Sequence, residues 1–473
     1  MPSLSADELG FTSATELGRL LRAKRISSVE LTRLFLDRLS SHGPRFNALA
    51  ELTPELALRQ ARQADLLIKR GRNASPLVGV PYGAKDLLAT KGIPTRWGAP
   101  PYRDQVFNYD AAAVRRLRDA GAVLIGKLAM VELAGGGGYH YPSASLHGPG
   151  LNPWNLNRWS GGSSSGSGSA VVAGLVPYAL GSETWGSIVT PSSYCGITGL
   201  RPTIGLVSRS GAMELAWSMD KIGPMARSAE DCGWVLQAIA GYDPRDSSSV
   251  RRTFVFQRRL RRDYRLGVLP LDYKDAPGGA ETEKAFNEAV RVLRRAGLKI
   301  SHAEWPDFPY SDIARTILGA EIAAAHEKFI RSDRLSELVD TGQKEGLQRY
   351  LTLTAADLAR AEKQRVEVTR AILGLFERFD ALITPSLIGE AVTLDTNLST
   401  RFGRSRSGSV LGALAGVPAL SVPMGFGPNG LPLGLSFTGS LFNENTILQI
   451  GMIYQRKTDW HHRRPPVHQQ LPV

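Results

Sequence analysis

GGSSSGSGSAVVAGLVPYALGSETWGSIVTP, residues 161–191, is the stretch on which the reading of this chain turns. Its first nine residues are only Gly and Ser. Such runs are commonly flexible linkers, but a linker joins folded bodies and is flanked by polar sequence. This one runs straight into an apolar helical stretch, about Gly168 to Ala173 with Gly174 as C-cap, and then into VPYALGSE, which reads as a buried strand. A phosphate-cradling loop would end in Gly-Lys-Ser/Thr, and no lysine follows. GSSSG, Gly162 to Gly166, fits G-x-S-x-G centred on Ser164, the pattern of a nucleophile elbow. That elbow follows a strand, and NPWNLNRWSG ahead of it does not read as one. Its base would be a late histidine, and His461, His462 and His468 stand in a charged tail that reads as surface. The remaining reading takes the stretch as one unit, with Ser163 24 positions before Ser187. A short helix is expected to start at Ser187, with Pro191 in its first turn.

Outside this segment the composition is that of a soluble globular protein: 473 residues, 42% hydrophobic and 21% charged, enough to bury a large core. The net charge is +13, yet the basic residues are scattered. The densest run is RRTFVFQRRLRRDYRLG at 251–267; elsewhere no Lys/Arg stripe is interleaved with aromatics and no nucleic-acid motif occurs, so the basic residues read as a solvated surface. Two cysteines, Cys195 and Cys232, sit among small and apolar residues and read as core thiols in a reducing compartment. The N-terminus shows no apolar signal core, and no stretch reaches membrane-span length. The expectation is a cytoplasmic protein.

Helix and buried strand alternate along the chain, which argues for α/β architecture. Residues 14–41 carry helical periodicity, with a capping signal where Ser27 or Ser28 precedes Glu30. A second helix is expected from about Pro54 to Lys69. LVGVPYGAKD reads as a strand leaving a loop, and AVLIGK as a strand after a helix and tight turn. Residues 270–375 are more polar and helical. FDALITPSL reads as strand and turn, and PALSVPMGF with PLGLSFTGS as a hairpin split by GPNG. A last helix covers about Glu444 to Lys457.

In GVPYGAKDLLATKGIPT, Lys85 falls at a buried strand end, where a lysine is usually unwelcome. At this point the chain closely resembles the amidase signature family of serine hydrolases. The likeness is carried by residues 161–205, by GVPYGAKD, AGAVLIGKLAMVEL, SMDKIGPMARSAEDC, FDALITPS and LAGVPALSVPMGF, and by the tail TDWHHRRPP. It spans roughly residues 6–466. It implies an α/β fold, a central mixed β-sheet flanked by helices on both faces, in one domain over 1–473. Within it would lie N-terminal helices (6–70), a catalytic core (71–250), a largely helical variable part (251–375) and a C-terminal core part (376–466).

The resemblance also implies a triad of Ser187 as nucleophile, Ser163 as relay and Lys85 as base, with a cis peptide bond at Gly162–Ser163. A serine hydroxyl needs a base to take its proton. A lysine serves only when neutral, the form that burial favours. The backbone N–H groups of Thr184, Trp185, Gly186 and Ser187 would form the oxyanion hole. Gly135, Gly136, Tyr139 and Trp185 are the candidate substrate-binding residues, and His140 and Trp154 are further candidates for the entrance. No metal or organic cofactor is called for. The expected partners are a small-molecule amide, ester or carbamate; the expected assembly is a monomer or homodimer, without nucleic acid or membrane.

Three positions depart from the family pattern. Trp185 stands where Gly is usual before Gly-Ser. Glu183 replaces Asp, which is expected to move a supporting hydrogen bond. Val189 replaces an Arg, so a buried charge network is expected to be reduced or rebuilt. Four glycines, Gly135 to Gly138, stand where the family places larger pocket residues, and a wide or adaptable acyl pocket is expected there. The competing reading is the glutaminase component of a tRNA-dependent amidotransferase, its A-type chain. That component would keep Gly-Gly-Ser, the Arg and a glutamine-binding segment, with which DTNLSTRFGRSRSGSV does not agree. A pseudoenzyme scaffold is a third reading, disfavoured because all three triad positions are filled.

Overall fold

The structure is a computed structural model that describes residues 5–71, 75–261, 263–274, 276–401 and 408–466. Thirteen strands are present among them: β1 (Leu49–Leu52), β2 (Pro81–Lys85), β3 (Val123–Leu128), β4 (Leu151–Asn152), β5 (Asn155–Trp159), β6 (Tyr178–Glu183), β7 (Thr198–Arg201), β8 (Lys221–Ala226), β9 (Arg265–Val268), β10 (Lys299–His302), β11 (Ala381–Pro385), β12 (Ala419–Phe426) and β13 (Pro432–Gly439). Eleven of them form one sheet in the order β1-β3-β2-β6-β8-β7-β12-β13-β11-β9-β10. The sheet is mixed. β2 runs parallel to β3 and β6, β8 lies antiparallel between β6 and β7, and β9 is parallel to β10 and β11.

Every residue of β2, β3 and β8 is buried. Strands covered on both faces read as continuous apolar runs rather than alternating ones, which is why VLIGKL carries no period-2 pattern. Helices supply that cover. Leu31, Phe35 and Leu39 of the helix Ser28–His42, and Ala57, Ala61 and Ala64 of the helix Pro54–Lys69, enter the main apolar cluster with Val123 to Ile125 of β3.

Local signals set the element ends. Ser27 and Glu30 form a reciprocal capping box, and the periodic stretch 14–41 resolves into two helices, Ala14–Arg22 and Ser28–His42. The Gly/Ser block opens the helix Ser165–Val172, three residues earlier than expected, with Ala173 as C-cap and Gly174 just beyond it at φ +67°. Two further local expectations need correction. The helix after the second serine spans Val189–Cys195, two residues later than expected, because Ser187 and Ile188 still belong to a turn. NPWNLNRW does contain a strand, β5, but it lies outside the main sheet, in a two-stranded ribbon with β4 and with one isolated bridge from Arg158 to Thr393.

Candidate active site

Lys85 ends β2 beside β6, and the register of this parallel pair brings its side chain to Ser182. Its Nζ lies 2.7 Å from Ser163 Oγ, 2.9 Å from Ser182 Oγ and 3.4 Å from the Ser182 carbonyl. The residue is 0% exposed. Burial lowers the Lys85 pKa to about 7, against the attraction of Asp220 and Glu183. Near neutral pH a large fraction of this amine is therefore uncharged and able to take a proton. The next residue, Asp86, faces the other way. It pairs with buried Lys127 at 3.2 Å and accepts from the Arg96 amide at 2.9 Å, which anchors the strand end.

Ser163 follows a cis peptide bond from Gly162. Its carbonyl accepts the Val131 amide at 3.1 Å, and the Ser164 amide donates to the Ser187 carbonyl at 3.3 Å. These contacts set the backbones of the two candidate serines side by side. Glycine is required here by close approach. A Cβ on Gly162 would lie 2.7 Å from the Trp159 ring and 2.8 Å from Val131. Ser164 is occupied elsewhere. Its hydroxyl donates to the Ser182 carbonyl and accepts the Ser182 amide, which stitches the new helix to β6 and uses the hydroxyl structurally. Ser187, 9% exposed, sits in the turn after β6. Its hydroxyl makes no hydrogen bond among the described residues.

That turn is held by Glu183. One carboxylate oxygen accepts the amides of Ile188 and Val189 at 2.8 and 2.9 Å, and the other meets Arg201 at 2.6 Å. Burial opposes the Glu183 charge, but Arg201, the Val189 amide and Lys221 outweigh it and hold the carboxyl below its usual value. Arg201 also donates to the carbonyls of Ser409 and Val417. A buried charge network thus stands beside the turn, with its cation supplied by Arg201 of β7. Between Glu183 and Ile188 the amides of Thr184, Trp185, Gly186 and Ser187 find no acceptor among the described residues, and Gly186 stands at φ +89°.

The remaining candidates divide. Tyr139 lies against Gly162 and stacks edge-on with Trp159 at 6.0 Å, so it walls the Ser163 side. Trp185 is half-buried against a second apolar cluster that includes Met219 and Tyr310, with Arg315 5.9 Å from its ring. The Gly135–Gly138 loop is not the empty space expected. A Cβ on Gly136 would overlap Ile322 and come within 2.7 Å of Leu215, and one on Gly137 would overlap the Gln343 carbonyl. The volume freed by these glycines is filled by the helices Tyr310–Ile330 and Thr341–Tyr350. His140 is bound through its amide to Asp340 and packs on Gly342. Trp154 is not at the entrance; it donates to the Cys195 carbonyl at the far end of the helix Val189–Cys195 and packs on Phe426. His461 and His462 stack on one another in the tail, and His468 lies outside the described residues.

A cavity of about 420 Å³ adjoins the site and is lined by Leu87, Ala134, Ser182, Thr184, Met213 and Leu215 among others. It reaches Ser182, the partner of Lys85, but its lining does not include Ser163 or Ser187. Sequence reasoning missed Ser182, Arg201, Asp220 and Lys221. For the last three the available signal was the same that exposed Lys85, a charge beside or inside an apolar strand run, as in GLRPT and DKIGPM; Ser182 carried no such signal.

Comparison with known proteins agrees with this architecture. A family model described as Amidase matches residues 30–448. The chain is 36% identical over 479 residues to the A-type chain of the glutamyl-tRNA(Gln) amidotransferase of Methylococcus capsulatus, covering 95% of this chain and 98% of that relative. The solved structure of native peptide amidase from Stenotrophomonas maltophilia superposes with a TM-score of 0.83 at 31% identity, covering 96% of this chain and 98% of that one. A bacterial aryl acylamidase of the amidase signature family shares the fold, with a TM-score of 0.87 at 22% identity over 98% of this chain and 99% of that one. The fold is that of the amidase signature enzymes. The chain belongs to the amidase family, whose enzymes hydrolyse C–N bonds of amides.

Proposed function

We propose that this protein hydrolyses the C–N bond of small amides through an acyl-enzyme, with Ser187 as nucleophile, Ser163 as relay and Lys85 as base. The observation that carries the reading is the fully buried Lys85 amine, 2.7 Å from Ser163 Oγ, with a pKa of about 7. Neutral Lys85 takes the Ser163 proton as Ser163 takes that of Ser187. The Ser187 oxygen then bonds to the substrate carbonyl carbon. The amides of Thr184, Trp185, Gly186 and Ser187 receive the resulting oxyanion. Ser163 returns a proton to the leaving nitrogen as the C–N bond breaks, and water clears the acyl group by the same route. The Ser163-to-Ser187 hydrogen bond closes when substrate binds, as catalytic contacts commonly do. Carbamates and small esters present the same carbonyl to the same groups and complete the substrate class. Gly135 and Gly136 set the loop that presents Tyr139, and Tyr139 and Trp185 contact the substrate.

The test is release of amine from p-nitroanilides and an aryl carbamate, with a p-nitrophenyl ester alongside. We expect wild type to turn over and Ser187→Ala and Lys85→Ala to lose at least about 1,000-fold in kcat/KM. A Ser187→Ala variant as active as wild type would sink the triad. The second reading, a glutaminase that works with partner chains, draws support from whole-length similarity to the A-type chain of an amidotransferase. Trp185 and Val189 weigh against it, as does the segment 395–410, of which 402–407 lie outside the described residues. Ammonia release from glutamine, with no turnover of anilides, would favour it.

A further inference from the structure

Two adjacent residues at the start of β8 grip one residue of the nucleophile turn. Asp220 accepts a hydrogen bond from the Thr184 hydroxyl and is itself held by the amides of Leu215 and Ala216, at 2.8 and 3.0 Å. Lys221 donates from Nζ to the Thr184 carbonyl at 3.3 Å and to the Gly412 carbonyl at 3.0 Å. The Lys221 residue is 2% exposed. The antiparallel register Glu183↔Lys221 places this pair directly across from the end of β6.

The consequence follows from peptide geometry. The Thr184 carbonyl and the Trp185 N–H belong to one planar trans unit and point in opposite directions. A donor fixed on the carbonyl therefore turns the N–H away from Lys221. That N–H has no acceptor among the described residues, and orphaned backbone donors are rare. A hydrogen bond to the carbonyl also polarises the peptide and strengthens the N–H as a donor. We propose that Lys221 is a positioning residue that aims and polarises the Trp185 amide for the oxyanion, while Asp220 locks the Thr184 side chain against rotation of the same peptide. This rests on the acyl-enzyme reading above and goes beyond the Ser/Lys set.

The test compares Lys221→Met and Lys221→Gln with wild type on an anilide, and measures binding of an arylboronic acid whose tetrahedral adduct carries an oxygen into the same position. We expect Lys221→Met to lower kcat about 10- to 100-fold, less than deletion of a direct oxyanion donor, with KM within about twofold. Affinity for the boronate should fall by the same factor as kcat/KM, a correlation that a general loss of structure would not produce. Lys221→Gln retains a shorter donor and should recover part of both. A Lys221→Met kcat within twofold of wild type overturns the inference. So does a loss of kcat without a matching loss of boronate affinity. Should Lys221→Met not fold, the same match or mismatch is read from Lys221→Gln. Wild type that neither hydrolyses the panel nor binds the boronate would instead overturn the hydrolase reading itself, and this inference with it.

Discussion

Lys85 must satisfy two opposed demands. A charged amine is poorly accommodated in a dry strand end, and a neutral one in that setting is a usable base. Protonated Lys85 cannot accept a proton from Ser163. The kcat/KM for an anilide should therefore be flat above a pKa of about 7 and fall roughly tenfold per pH unit below it. A profile measured from pH 5 to 9 checks this, and a flat line across that range would exclude Lys85 as the base. Ser182 supplies a second measurement. Its hydroxyl accepts from the amine at 2.9 Å and so favours the charged form. Ser182→Ala should move the acid limb to lower pH, whereas a residue with a purely structural role would leave its position unchanged.

Elements determine where these side chains stand. The turn after β6 is fastened by Glu183 on one side and by Lys221 and Asp220 on the other, so two neighbouring strands frame the nucleophile. Arg201, from the next strand, neutralises Glu183 at 0% exposure of either side chain. Replacing Arg201 with Met leaves a buried carboxylate without its cation and should cost about 3–5 kcal/mol, read by chemical denaturation. The Gly135–Gly138 loop offers a graded comparison. Gly137→Ala drives a Cβ into a backbone carbonyl and should cost about 1–3 kcal/mol. Gly138, at φ +79° with open space around it, should lose only about 1 kcal/mol as Ala. Equal losses at the two positions would contradict the packing assigned to the loop.

At the scale of the whole molecule, one sheet of eleven strands carries Lys85 and Ser182 from its interior, and the nucleophile turn leaves it at β6. The chain bears a net charge of +13. Such a field concentrates anions near the surface and is screened by salt. An anionic anilide should therefore lose severalfold in kcat/KM between about 50 and 500 mM salt, while a neutral anilide of the same shape stays nearly constant. Identical salt dependence for the two would show that the net charge does not reach the site. No helix among the described residues is long and apolar enough to cross a membrane.

Much of this was legible from residue order alone. Helix caps, the Gly/Ser block, the hairpin around GPNG and the largely apolar strands depend on neighbours within a few positions, and the chain states them directly. Lys85 was legible because a lysine in an apolar strand run is an anomaly at any fold. The rest depended on partners far apart in the chain. Glu183 meets Arg201 only because β8 lies between β6 and β7, and Lys221 reaches Gly412 across 191 positions. The four glycines looked like open space in sequence, and the packed helices showed Gly136 and Gly137 to be close contacts. Local rules report which backbone a segment adopts. Which side chains fill the space around it is decided by strand order and register, and these emerge only when the whole sheet is assembled.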